Sequence, residues 1–490
     1  MDSHRQDLRR GFNWLGGAMV IAKVTDFGTI LIVLMFLTKR EVGLAALVVA
    51  IGTVIEALDG LGTGAALVQA PSLSRLQLSS IFWYIAGAAV IAGAITLLAA
   101  PGFAALYGLP GLAPYFLPIA LKQPLVGAAV IPLALMSREL QYERIAVVNV
   151  CSTLGSAATR VALAAFGAGA WAIVIASAAS GLYTLIGASF ARPFRPALRF
   201  SIPAVSPLVR FGLRAAMSTL FEQSFNNVDY LLVGWFYGPA PLAIYRVAFE
   251  IGMQPALAAG TLVNRAALPV FARVSAVREH LEQSLTWSLR RLTLVVAPLT
   301  AATLLAAVPI TALIHDGEGH SYAAAALPLE LLSAAALLRV LSQLLYPLAL
   351  GTGHPKTALR LSAATLLLLG LGMLGAGIGF RAPSGIVAIA TVWLAVYPLL
   401  LLWEIRYLRR RWDIRAAELA RTLAPPLAGT IALVAVVEIA RLVLGSRLEG
   451  ADVGWQVAVV ATAAVLTYAG LFLVYRQRAG RVDGGIGARH

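Results

Sequence analysis

Apolar runs of about twenty residues recur from one end of the chain to the other, and short gaps between them carry most of the charge. A bilayer core of about 30 Å is crossed by about 20 residues of helix. Runs of that length fall at 14–37, 42–66, 79–101, 112–136, 146–168, 169–190, 213–236, 241–270, 292–314, 323–350, 357–379, 383–403, 423–445 and 454–474. The pattern predicts an all-α polytopic membrane protein with fourteen transmembrane helices. Helices are the economical way to cross lipid, because each satisfies its own backbone polar groups where no water is at hand. Composition excludes the alternatives. Hydrophobic residues make up 59% and charged residues 12%, whereas a soluble domain carries about 25% charged residues. Disorder, a coiled coil and a disulfide scaffold fail on the same figures, and the single cysteine, Cys151, has no partner in the chain.

The net charge of +15 belongs to the gaps rather than to one domain. That is the pattern that orients spans, so a nucleic-acid partner is not expected. With the amino terminus inside, 27 Lys and Arg fall on the cytoplasmic side and 4 on the outer side; the other 7 lie within spans. Losing one span would invert every later gap and spoil this alternation. Both termini are therefore expected in the cytoplasm. The first apolar run, about 11–38, is too long for a signal-peptide core and is read as a retained span.

The strongest basic linkers, 191–212 and 404–422, divide the chain into an N-terminal lobe (1–190, helices 1–6), a C-terminal lobe (213–403, helices 7–12), a helix pair (423–474) and a cytoplasmic tail (475–490). The two lobes begin alike. Arg10-Gly11-Phe12 answers Arg210-Phe211-Gly212, and Lys23 and Asp26 fall near Glu222, Gln223 and Asn226 in the repeat. Six spans per block give both copies the same orientation, which implies a pseudo-two-fold axis along the membrane normal with a site between the lobes.

Several stretches resemble the bacterial polysaccharide flippases, the Wzx-type branch of the multidrug/oligosaccharidyl-lipid/polysaccharide exporter superfamily. They are Glu56-Ala-Leu-Asp59-Gly60-Leu-Gly62-Thr-Gly64 with Ile81-Phe82-Trp83; Leu208-Val209-Arg210-Phe211-Gly212; and Asn226-Asn227-Val228-Asp229-Tyr230-Leu231-Leu232-Val233-Gly234. Gly238-Pro239-Ala240-Pro241, Pro269-Val270-Phe271-Ala272-Arg273 and Gly351-Thr352-Gly353-His354-Pro355-Lys356 extend the likeness over most of the first twelve helices. It implies a two-lobed carrier in the bacterial inner membrane that moves polyprenyl-diphosphate-linked oligosaccharide. Where that family has a Ser-Pro-x-x-Phe-Gly-like turn after helix 1, this chain has Thr38-Lys39-Arg40-Glu41-Val42-Gly43.

The candidate site residues are the ionisable groups inside spans, each of which costs about 2.5–3.5 kcal/mol at a helix centre unless it meets water or a partner. Lys23, Lys122, Arg160 and Arg339 lie nearest the midplane, against Asp26 and Glu222, so a central cavity is expected to be cationic. Such a cavity suits a diphosphate, which needs several donors and dispersed positive charge. Arg246 is a further candidate contact. Arg246 with Glu250, Lys23 with Asp26, and Glu438 with Arg441 read equally as local ion pairs. Asp26, Glu222 and Asp229 are candidate coupling groups for a proton or sodium ion. Asp59 and Arg265 sit near cytoplasmic span ends, as a gate pair or as solvated end groups.

No catalytic constellation accompanies them, so an enzyme is not expected, and neither a cofactor nor a metal is called for. Gly353-His354-Pro355-Lys356 lacks the glycine and the preceding strand of a phosphate loop. His315, Asp316, Glu318 and His320 read first as a solvated loop. Two readings stay open: a flippase for lipid-linked sugars, and a cation-coupled multidrug exporter of the same superfamily, for which an acidic cavity would be expected.

Overall fold

The computed structural model describes residues 2–57, 63–70, 72–274, 277–448 and 462. The expected span 454–474 and the tail lie outside these residues, as does Asp59. The described chain is built of helices, and ten segments are long and apolar enough to cross a membrane. The protein is a multi-pass membrane protein. It divides into two compact units, 1–246 with His315–His320, and 247–314 with 321 onward.

The first unit contains α1 (Asp2–Leu34), α2 (Lys39–Glu56), α3 (Thr63–Gln69), α4 (Arg75–Leu106), a 3-10 turn (Pro110–Tyr115), α5 (Phe116–Arg138), α6 (Tyr142–Ala165), α7 (Ala170–Ala191) and α8 (Ile202–Tyr237). It also contains the first turns of α9 (Pro239–Gly252). The expected span 42–66 is divided between α2 and α3. In the unit, α6 packs on α1 and α7, and α5 lies between α4 and α7. The helix α2 is enclosed by α5, α7 and α8. Leu67, Ile81, Ile85, Ile131 and Val205 form one of its buried apolar clusters.

Local chemistry sets the helix starts. The Thr38-to-Glu41 stretch is a capping box: the Glu41 N–H donates to Thr38 Oγ1 at 3.3 Å, and the Thr38 N–H donates to Glu41 Oε2 at 2.9 Å. Two of the N–H groups that a helix start leaves without partners are thereby satisfied. Ser74 and Gln77 do the same for α4. The chain therefore replaces the turn of its look-alikes with a different but complete cap.

The second unit contains the rest of α9, then α10 (Gln254–Val274), α11 (Arg278–Leu305), α12 (Ala307–Leu313), a 3-10 turn (Ala323–Ala325), α13 (Ala326–Ser342), α14 (Leu345–Gly351), α15 (Pro355–Gly379), α16 (Ser384–Trp412) and α17 (Ala416–Leu448). Here α16 packs between α13 and α15, and α11 packs on α10, α13 and α17. The expected span 241–270 is interrupted at Met253, just before Pro255, where a proline ring suits a first helical turn but not an interior. The linker 404–422 is largely helical, with only Asp413–Arg415 separating α16 from α17, whereas 191–212 is extended until α8 begins at Ile202.

Candidate functional site

The helix α5 carries Lys122, and α7 makes room for its stem. A Cβ on Gly181 would lie 3.1 Å from Lys122 Cγ, so glycine lets the lysine run along the helix face. Its Nζ donates to both oxygens of Glu56, at 2.8 and 2.9 Å, and lies 3.4 Å from Ser177 Oγ. The side chains keep 13% and 22% of their surface, so the pair is sheltered but not sealed. The expectation that Lys122 needs a partner from another helix or from a substrate is met by Glu56 of α2. Glu56 sits on a strongly apolar helix, four residues after buried Gly52, and that spacing was the available sign that its side chain points inward.

Of the other candidate bases of the first unit, Lys23 is the exposed one. Asp26 is exposed on α1 as well, and no ion pair between the two is formed among the described residues. Arg160 is half-buried on α6. Arg246 is half-buried on α9, forms no ion pair among the described residues, and has a buried Nη1 with no hydrogen-bond partner among them. The side chain of Arg441, expected beside Glu438, lies outside the described residues. Glu222 is exposed on α8 and makes no ion pair among the described residues. Asp229, by contrast, is fully buried: Oδ2 accepts from the Tyr245 hydroxyl and Oδ1 from the Tyr230 N–H, each at 2.9 Å. It ties α8 to the start of α9. Arg265 lies on α10, and its side chain, like Asp59, is outside the described residues.

The second unit holds Arg339 in its interior, 3% exposed. The guanidinium carbon stands 4.7 Å from the centre of the Trp393 ring, and Nη1 lies 3.2 Å from Met253 Sδ. Trp393 is itself stacked on Tyr397 and touches Phe249. Nearby in sequence, Glu404 is 4% exposed and accepts a 2.5 Å hydrogen bond from Ser342 Oγ. Glu404 continues the buried stripe Trp393, Val396, Tyr397, Leu400 and ends at Leu408, a helical spacing legible in the sequence.

The loop His315–His320 belongs to the first unit. The Gly317 N–H donates to the Leu37 carbonyl at 3.0 Å, and Lys39 Nζ lies 3.5 Å from Asp316 Oδ2. Asp316, Glu318 and His320 bring possible ligand atoms within 4.8 Å of one another, but Lys39 already supplies the cation. Burial alone would push the Asp316 carboxyl up. The His320 N–H, the Lys39 ammonium and the Glu318 N–H outweigh it and hold the carboxyl below its usual range. A depressed folded-state value means the tie is fully present at neutral pH and is lost only as pH falls below the ordinary carboxylate value of about 3.9. Hydrogen exchange of 315–320, measured against an unprotected peptide, should therefore stay slow down to that pH. Asp316→Asn should speed it at neutral pH, and unchanged protection in that variant would refute the tie.

Comparisons with known proteins agree with this architecture. A family profile described as polysaccharide biosynthesis protein matches residues 32–319. The chain is 22% identical over 281 residues to the lipopolysaccharide biosynthesis protein WzxC of Escherichia coli (strain K12), covering 57% of each. It is 25% identical over 320 residues to the teichuronic acid biosynthesis protein TuaB of Bacillus subtilis (strain 168), covering 64% of this chain and 65% of that one. It thus spans less than two thirds of the length of either curated relative. Among solved structures, the lipid II flippase MurJ in an inward closed conformation is similar in fold, with TM-score 0.73 at 12% identity, over 94% of this chain and 98% of that one. An inward-facing MATE family transporter of the MOP superfamily gives 0.59 at 14% identity, over 81% and 96%. With more than half of its length matched by one family profile, the chain belongs to the polysaccharide biosynthesis protein family and shares the fold of the MOP superfamily.

Proposed function

We propose that the protein moves polyprenyl-diphosphate-linked oligosaccharide units across the bacterial inner membrane by alternating access, for surface polysaccharide export. It is a carrier rather than an enzyme. We place fourteen spans in two six-helix lobes, 1–190 and 213–403, followed by a helix pair, with both termini in the cytoplasm as the basic residues direct. The names of WzxC and TuaB and the fold likeness to a lipid II flippase support this reading.

One observation carries it. Helices α1 and α6 pack together, and each brings a base, Lys23 exposed near the middle of its span and Arg160 half-buried five residues before the end of α6. At a helix centre facing lipid a base would cost about 2.5–3.5 kcal/mol, so each belongs beside water or a polar partner, and we read their surroundings as a polar space. A diphosphate headgroup fills such a space well, because its charge is spread over several acceptors. Lys122 and Arg246 complete the proposed cationic set, whereas Arg339, expected in it from depth alone, is enclosed in its own unit against Trp393. Asp26, Glu222 and Asp229 are the proposed coupling groups for a proton or sodium ion, and Asp59 with Arg265 the proposed gate pair.

The test is Lys23→Ala and Arg160→Ala, scored separately for abundance and export. Losing one charge-assisted contact of about 1.5–3 kcal/mol lowers export of sub-saturating substrate about tenfold or more. Lipid-linked units then accumulate on the cytoplasmic face while the protein stays abundant. Normal export in both variants defeats the reading. The second reading, a cation-coupled multidrug exporter, is favoured by the exposed acids Asp26 and Glu222, which make no ion pair among the described residues, together with the fold likeness to MATE transporters. It predicts instead that Asp26→Asn and Glu222→Gln abolish efflux of cationic dyes and leave polymer export intact.

A further inference from the structure

A lysine inside a membrane bundle is expected to be neutralised, and what neutralises Lys122 is informative. Glu56 offers both carboxylate oxygens to one ammonium, with Ser177 as a weaker third neighbour. This is the arrangement that a phosphoryl group would present to the same lysine: two anionic oxygens about 3 Å from one Nζ. Glu56 is also the last residue of α2. A carboxylate at a helix C-terminus faces the negative end of the macrodipole, so its own helix does not stabilise it there. Lys122 is the one ion-pair partner that Glu56 makes among the described residues. The two side chains retain 13% and 22% of their surface, enough for a polar group to reach them. A pair built only for packing would gain by being sealed. This one is bidentate and partly open, and among the described residues Lys122 is the one ion-pair partner of the acid.

We propose that Glu56 is a built-in substitute for the substrate's anion, which occupies Lys122 in the empty carrier and is displaced by phosphoryl oxygens of the headgroup. The inference rests on the reading of Lys122 as a headgroup contact and adds a regulator to it. The empty carrier thereby avoids an isolated buried cation, whose cost would oppose insertion. The loaded carrier avoids binding too tightly, since the returning carboxylate competes for the lysine and favours release. Binding energy held in the resting state as an internal ion pair is given back during each cycle. Glu56 is therefore a positioning residue: it touches Lys122 and sets how strongly that lysine holds the substrate.

The experiment measures equilibrium binding of a polyprenyl diphosphate to the full-length protein in nanodiscs, with export followed in parallel. Glu56→Gln keeps the shape and removes the competing charge, so binding tightens about tenfold. Half-saturation for export falls, and the maximal rate falls with it, because release is slowed. Damage to the fold would weaken binding, so tightening separates competition from a structural role. Glu56→Asp, too short to keep both contacts, should lie between Gln and the native protein, and serves if the Gln variant is poorly inserted. Lys122→Gln is the companion. If Lys122→Gln loses affinity while Glu56→Gln and Glu56→Asp bind no tighter than the native protein, Glu56 is not a competitor and the substrate reading stands. If Lys122→Gln binds normally, Lys122 is not a headgroup contact, and the basis of the inference falls with it.

Discussion

Arg339→Ala is expected to cost the protein stability before it costs a substrate contact. The guanidinium is 3% exposed, lies over Trp393 at 4.7 Å and meets Met253. A desolvated cation–π contact contributes about 2 kcal/mol. Truncating a large buried side chain to alanine adds a cavity cost of about 2–5 kcal/mol. Removing Arg339 also deprives the stacked Trp393–Tyr397 pair of the group that Trp393 packs on. We therefore expect a loss of about 3 kcal/mol or more, seen as a lowered melting temperature in detergent and a reduced amount of inserted protein. Arg339→Lys should lose less, because the charge over the ring survives while the planar fork does not. Trp393→Leu should reproduce much of the Arg339→Ala effect, and the double variant should lose less than the sum of the singles, since the two groups are in contact. An Arg339→Ala protein that melts like the native one but fails in export would return Arg339 to the substrate-contacting set.

This outcome departs from what the sequence alone suggests, and the reason is physical. Depth along a span can be read from sequence, because helix rise is fixed and apolar runs have ends. It put Lys23, Lys122, Arg160 and Arg339 in one class. Direction around a helix, and the neighbour met in that direction, depend on packing. Arg339 turns into its own unit against an aromatic surface, Lys122 meets Glu56, and Lys23 lies on an exposed face of α1. Glu56 lies in a family-like stretch near a span end and escapes a depth criterion, because its partner lies 66 residues away and no local spacing announces it. Asp229 was read as a coupling candidate; its two tyrosine-residue partners, Tyr230 and Tyr245, tie it into the packing of α8 and α9. The helices themselves were more legible. Apolar runs, the Thr38–Glu41 cap and the proline at 255 are local signals, and local signals set where helices begin and end.

Gly43→Ala is expected to be among the most disruptive single-methyl changes in the chain. A Cβ at Gly43 would lie 1.7 Å from the Pro239 carbonyl oxygen, 2.4 Å from its carbon and 2.8 Å from its Cα. All three are backbone atoms, so no side chain can rotate away, and either α2 or the start of α9 must shift. Both are constrained. The capping box fixes the first turn of α2, and Gly238, at φ +79°, sets the turn that delivers Pro239. Overpacking in a well-packed core costs about 1–3 kcal/mol when side chains can adjust. Against backbone the cost should reach or exceed the upper end, and Gly43→Val should prevent recovery of folded protein. Gly87→Ala in α4 is the control, because nothing lies within 4 Å of its Cβ position. There alanine should be neutral or stabilise by up to about 1 kcal/mol through helix propensity. Melting temperatures of the two alanine variants in the same detergent decide the matter. If Gly43→Ala melts with the native protein, the close approach of α2 to the α8–α9 turn is not part of the fold.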